Sequence, residues 1–81
     1  MGKTKGQKTK PSELDRKIGL NIKLMRISRG EKQRDIAEYL NISTQQYQKY
    51  ESGKTKVSVG ILLKLVKYFE KPISYFFGDE Q

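Results

Sequence analysis

Residues 33–52 read Gln33-Arg34-Asp35-Ile36-Ala37-Glu38-Tyr39-Leu40-Asn41-Ile42-Ser43-Thr44-Gln45-Gln46-Tyr47-Gln48-Lys49-Tyr50-Glu51-Ser52, and this stretch decides the fold. Ile36, Ala37 and Leu40 fall on one side of a short helix over 33–40. Asn41-Ile42 makes a tight turn. Ser43 then stands as an N-cap, with Gln46 three residues on completing a Ser-x-x-Gln capping box. The following helix runs to Ser52 and stops at Gly53, the residue type that tolerates a left-handed C-cap. Two short helices joined by a tight turn make a helix-turn-helix.

The second of these helices has two unlike sides. At 100° per residue, Tyr47 and Tyr50 share a side and read as core. Thr44, Gln45, Gln48 and Lys49 fall on the other, with Gln46 at the margin. A merely solvated helix face more often carries Glu and Lys pairs four residues apart. A carboxamide-rich face suits paired hydrogen bonding instead: a Gln amide meets adenine N6 and N7 together, and Lys reaches guanine O6 and N7. The bland alternative is a glutamine-rich exposed face with no partner.

Outward from this motif the periodicity stays helical. Pro11-Ser12 followed by Glu13 and Asp15 is a helix start, with acids facing the positive end of the dipole. Leu14, Ile18, Ile22 and Met25 recur at helical spacing on one face, and Ser28-Arg29-Gly30 closes that helix. Ser58 caps a helix whose Val59, Leu62, Leu65, Val66 and Phe69 line one side. Gly60 in its first turn costs about 1 kcal/mol against alanine. Pro72 opens a fifth short helix that ends at Phe77-Gly78. The expectation is an all-α, compact five-helix bundle over 11–78. Two decoys fall away. The strand-like alternation at 55–59 is brief and has no partner run. Gly53-Lys54-Thr55 resembles the end of a P-loop, but Gln48 stands where that motif needs its first glycine.

Composition narrows the function. The chain has 81 residues, no cysteine and no histidine. That removes disulfides, thiolate or imidazole metal sites and His- or Cys-based nucleophile pairs, and argues against an enzyme. No catalytic residue, metal site, cofactor or small-molecule ligand is expected. Seventeen Lys and Arg against nine Asp and Glu give +8, which points to a polyanion, usually nucleic acid. Residues 1–10 hold four lysines and no acid. They are expected to form a disordered basic arm, either a solubilising tail or a phosphate-seeking one. Asp79-Glu80-Gln81 is expected to fray. No apolar run is long enough to span a membrane, the start lacks the apolar stretch of a secretory signal, and Gly6 breaks the myristoylation pattern, so a cytoplasmic location is expected.

Residues 18–77 resemble the Xre-type helix-turn-helix family, which includes phage Cro and the DNA-binding domains of lambda-like phage repressors. The matching strings are Ile18-Gly19-x-x-Ile22, Met25-Arg26, Gly30-x-x-Gln33, Asp35-Ile36-Ala37, Leu40-x-Ile42-Ser43, Gln45-Gln46, Glu51-x-Gly53-Lys54, Leu62-x-x-Leu65 and the closing Pro72–Gly78 segment. The resemblance implies that Thr44, Gln45, Gln48 and Lys49 face base edges. It places Gln33 and the backbone around Gly53 and Lys54 against phosphates, with Gln46 alongside. Lys56 joins this phosphate set. Arg26 and Glu51 would form the family's internal ion pair. The chain departs from the pattern at Glu31, where an apolar residue is usual, and at Lys32, where Ser or Thr usually caps. Tyr47 replaces a smaller aliphatic residue, so its hydroxyl must find a partner or reach water.

The resulting expectation is a transcriptional regulator that binds double-stranded DNA, most simply a repressor occupying an inverted-repeat operator as a homodimer. An antitoxin-like protein that also binds a partner enzyme is the rival of another class, and a nucleoid-type binder without sequence choice is a third. Two surfaces compete for dimerisation. One is the C-terminal pair Tyr75 and Phe77, which the resemblance favours. The other is a second apolar stripe on the first helix, Leu20, Leu24 and Ile27.

Overall fold

Ser12 starts the first helix by a reciprocal exchange with Asp15. The Asp15 amide donates to Ser12 Oγ at 3.2 Å, and the Ser12 amide donates to Asp15 Oδ2 at 2.7 Å. In this computed structural model, which describes residues 12–78, the helix so begun is α1, Glu13–Ser28. It is followed by α2, Gln33–Leu40, α3, Thr44–Ser52, and α4, Val59–Phe69. The expected basic arm at 1–10 and the acidic end at 79–81 lie outside the described residues.

The architecture is all-α, with no strand among the described residues. Among the described residues there are four α-helices rather than the expected five. Ile73–Phe77 forms a 3₁₀ helix, closed by Tyr75 N–H to Pro72 O at 3.0 Å and Gly78 N–H to Tyr75 O at 3.2 Å. Pro72 fixes the start and Gly78, at φ +77°, ends the segment, which leaves too few residues to repeat the α pattern. Phe76 nevertheless anchors the segment in the core, fully buried. Asn21 on α1 holds it from outside, donating to Phe76 O at 2.9 Å.

Ile18, Ile22 and Met25 of α1, Ile36, Ala37 and Leu40 of α2, Tyr47 and Tyr50 of α3, and Leu62, Leu65 and Phe69 of α4 close one core around Phe76. Two residues expected on inward faces are not there. Leu14 is about half exposed, and Val59 more so. Both sit in the first turn of their helix, one turn before the first buried side chain, so helical phase alone placed them inside.

The helix-turn-helix is built by local caps. Lys32 cannot accept a bond at the α2 N-terminus, but Asp35 Oδ2 takes the Lys32 amide at 2.9 Å and holds the first turn. Asn41 adopts the left-handed conformation, φ 62°, which its short polar side chain tolerates. The Ile42 amide then closes on Ala37 O at 3.0 Å. Ser43 Oγ accepts from the Gln46 amide at 3.0 Å. The reciprocal bond from the Gln46 side chain is not formed, so only half of the expected capping box exists. Gly53 ends α3 at φ +79° against Arg16, where a Cβ would lie 2.8 Å from the Arg16 Cα.

Candidate nucleic-acid interface

α3 is held by its inner side. Tyr47 is fully buried, and Tyr50 and Glu51 nearly so. The Glu51 carboxylate is gripped in two places by one guanidinium, with Arg26 Nε to Oε2 at 2.6 Å and a second Arg26 nitrogen to Oε1 at 3.1 Å. Arg26 also donates to Glu31 O at 2.9 Å, so one arginine links α1, the loop before α2 and the end of α3. Burial by itself would raise the Glu51 carboxyl. The hydrogen bonds from Arg26, the nearness of the Tyr47 hydroxyl and the bond from the Gln33 amide outweigh it and hold the group below its ordinary value. The bond to Glu51 raises Arg26 in turn.

Burial pushes the Tyr47 phenol well above its ordinary value, and the nearby Glu51 carboxylate adds to this. Its hydroxyl lies beside the ion pair yet makes no well-formed hydrogen bond. Tyr47→Phe is therefore expected to raise stability by up to about 1 kcal/mol, because a buried hydroxyl without a partner is a cost and its removal leaves the packing unchanged. Urea unfolding followed by circular dichroism measures this. A loss of similar size would mean that the hydroxyl supports Glu51.

The outer side of α3 is polar. Gln45, Gln48 and Lys49 are exposed, and together with Ser52 and Lys54 they line one shallow depression. Thr44 and Gln46 are half-buried at its start. Gln33 reaches this face from α2. Its Nε2 donates to Glu51 Oε1 at 3.1 Å, while its Oε1 accepts from Gln48 Nε2 at 3.0 Å. The backbone beyond α3 is already committed. The amides of Gly53, Lys54 and Thr55 all turn back on Lys49 O, that of Lys54 at 2.9 Å. The exposed groups left there are the side chains of Lys54 and Lys56.

Sequence reasoning missed the Gln33–Gln48 bond. The three-residue spacing of Gln48 and Glu51 was the only signal for it. It also missed why Glu31 is tolerated. Glu31 accepts from the Tyr68 hydroxyl at 2.8 Å and from Arg29 Nε at 3.2 Å, and Arg29 stacks over the Tyr68 ring at 5.1 Å. Burial and that bond push the Tyr68 phenol up to about 12.

The two expected dimer surfaces are not separate. Leu20, Leu24 and Ile27 are each about half exposed, as is Tyr75 to a lesser degree. Leu24 and Tyr75 line a single groove between α1 and the 3₁₀ helix, with Met25 at its floor and Lys71 at its rim. Phe77 packs partly against the core. Among the described residues no acidic cluster could hold a metal ion, and no helix is long and apolar enough to cross a membrane.

A family model described as helix-turn-helix matches residues 22–76. An uncharacterized HTH-type transcriptional regulator of Sinorhizobium medicae (strain WSM419) is 38% identical over 72 residues, covering 89% of this chain and 52% of its own. One from Rickettsia conorii (strain ATCC VR-613 / Malish 7) is 34% identical over 65 residues, covering 80% and 52%. The chain thus spans about half the length of these curated relatives. Among solved structures, a transcriptional regulator from Listeria innocua superposes with a TM-score of 0.71 at 33% identity, over 79% of this chain and 60% of that one. The restriction-modification controller protein C.AhdI from Aeromonas hydrophila does so with a TM-score of 0.70 at 22% identity, over 76% and 94%, a likeness of fold.

Proposed function

This chain belongs to the helix-turn-helix family, and from that premise we propose that it binds double-stranded DNA through α3, as the DNA-reading unit of a transcriptional regulator. The observation that carries this reading is the outer face of α3. It is exposed, rich in carboxamides and lysine, and held rigidly from behind by Arg26 and Glu51. Thr44, Gln45, Gln48 and Lys49 face base edges. Gln33, Gln46, Lys54 and Lys56 sit where phosphates flank the groove, with Gly53 setting the turn between them. The net charge of +8 supplies the salt-sensitive part of the affinity. The protein acts as a homodimer on an inverted repeat, most simply as a repressor that occupies its operator. The apolar groove shared by Leu24 and Tyr75, continued by Leu20 and Ile27, supports the dimer, while Phe77 packs partly against the core.

Selection of bound sites from random duplexes tests this, with an inverted repeat as the expected product. On the selected site Gln45→Ala and Lys49→Ala are each expected to weaken binding by about 1–3 kcal/mol, and on random DNA by much less. Lys54→Ala should weaken both kinds of binding alike and flatten the salt dependence by about one counterion. If Gln45→Ala weakens binding to random DNA as much as to the selected site, α3 is not the reading helix.

A further inference from the structure

The hydrogen bonds that run from Glu51 through Gln33 to Gln48 have a direction, and that direction reaches the exposed face of α3. Glu51 is buried against Arg26, so its ionised carboxylate can only accept. The Gln33 amide must therefore turn its Nε2 toward Glu51 Oε1, at 3.1 Å. This leaves Gln33 Oε1 at the other end of the same amide, and Gln48 meets that oxygen with its own Nε2 at 3.0 Å. Each amide fixes the next. At the end of the chain Gln48 Oε1 has no protein partner among the described residues, in the depression shared with Gln45, Lys49 and Lys54. An untethered glutamine can reverse its terminal amide and offer either a donor or an acceptor, because that torsion has a broad, two-fold preference. A glutamine tethered through one N–H cannot reverse its amide without breaking that bond, so its oxygen keeps a fixed side and only the second N–H of the same nitrogen remains to donate beside it.

We propose that this relay makes Gln48 a specificity-determining residue of fixed polarity. It holds its carbonyl oxygen toward the major groove and selects, on the strand it faces, a base with an exocyclic amino group. Adenine N6 and cytosine N4 meet that requirement in the major groove, whereas guanine O6 and thymine O4 are acceptors and face the oxygen unfavourably. Gln33 is the positioning residue. It acts through Gln48, with its orientation set by the carboxylate behind it. The inference rests on α3 being the reading helix, as proposed above.

The test uses the full chain and its selected duplex. The base pair that Gln48 reads is the one at which Gln48→Ala abolishes discrimination. Fluorescence anisotropy on duplexes carrying each of the four bases there should show the wild type binding adenine or cytosine about tenfold more tightly than guanine or thymine, within the range of one good base contact. In Gln33→Ala that ratio should fall below about twofold, since the freed amide can turn either way. Discrimination at the positions read by Gln45 and Lys49 should be unchanged. Gln33→Lys puts a donor-only group in the same place, so the Gln48 amide should reverse and the preference should move to guanine or thymine. The measured quantity is a ratio between duplexes, which the added charge does not alter. A preference for amino bases that survives in either Gln33 variant overturns the proposal. So does a wild-type preference for guanine or thymine, or the lack of any position sensitive to Gln48→Ala. In those cases reading by α3 still stands on the Gln45 and Lys49 results. A wild-type protein that selects no sequence overturns both. Circular dichroism establishes that each variant is folded, and should one fail to fold, the other still decides.

Discussion

Glu51→Ala is expected to cost the domain about 3–5 kcal/mol, the usual penalty for leaving one partner of a buried pair uncompensated. The Glu51 side chain is only 4% exposed and that of Arg26 13%, so water can replace little of the lost carboxylate. Arg26 would keep its bond to Glu31 O and lose both bonds to α3, and Gln33 would lose its acceptor. For a domain of this size the loss corresponds to a fall in melting temperature of about 12–40 °C, which thermal unfolding would reveal directly. The pair itself is weak evidence of net stability, because charges taken from water are costly even when matched. Replacing both partners, as in Arg26→Met with Glu51→Leu, should therefore recover most of the loss. If the double variant is as unstable as Glu51→Ala, the pair contributes through the orientation of α3 rather than through its charge balance.

The same carboxylate sets an acid dependence. Its folded value lies below the ordinary 4.5, so the folded state holds fewer protons than the unfolded chain in that window. The stabilisation is therefore fully present above about 4.5 and is lost as pH falls through the lower folded value. Urea midpoints measured from pH 6 down to about 3 should decline in the wild type and decline less steeply in Glu51→Ala. Equal slopes in the two proteins would assign the acid sensitivity to other carboxylates.

Gly19→Ala is the second large effect. In a free helix this change is favourable by about 1 kcal/mol. Here a Cβ on Gly19 would stand 2.3 Å from Tyr50 O and 2.7 Å from Glu51 O, backbone atoms of α3 that no rotamer change can move. The only relief is to push α3 away from α1, which would open the seat of Tyr47 and Tyr50 and strain the grip of Arg26 on Glu51. A loss of at least about 3 kcal/mol is expected, at the upper end for overpacking. Because the recognition face is carried on α3, a folded fraction of Gly19→Ala should also bind its site less tightly than wild type. Wild-type stability in this variant would mean that α1 and α3 are farther apart in solution than Gly19 requires.

Much of this chain is legible one turn at a time. Ser12, Ser43 and Ser58 mark helix starts because a hydroxyl satisfies an amide only two or three residues away. Gly53 and Asn41 mark helix ends because they adopt a left-handed turn at little steric cost. The bounds of α2 and the tyrosine side of α3 follow from such signals and from the helical period, and so does the exposed polar face from Gln45 to Lys49. The period is less reliable at a helix end. It cannot tell whether another element covers the first turn, and so Leu14 and Val59 were expected inside while both face water.

Only the tertiary structure could decide the rest, since it depends on groups far apart in the chain. Where the short Pro72–Gly78 segment docks depends on the core that receives Phe76 and on Asn21 of α1, which holds the Phe76 carbonyl 55 residues away. The acceptance of Glu31 depends on Tyr68, 37 residues away, and on an arginine stacked over its ring. The amide of Gln33 is oriented by Glu51, 18 residues on, and in turn orients Gln48. The sequence by itself determined that a helix-turn-helix forms and which face of its second helix is polar, because hydrogen bonds and side-chain period within a single helix specify both. Packing decided which of those polar groups are tied back into the protein and which remain open, because a side-chain donor meets its acceptor only after the helices have docked.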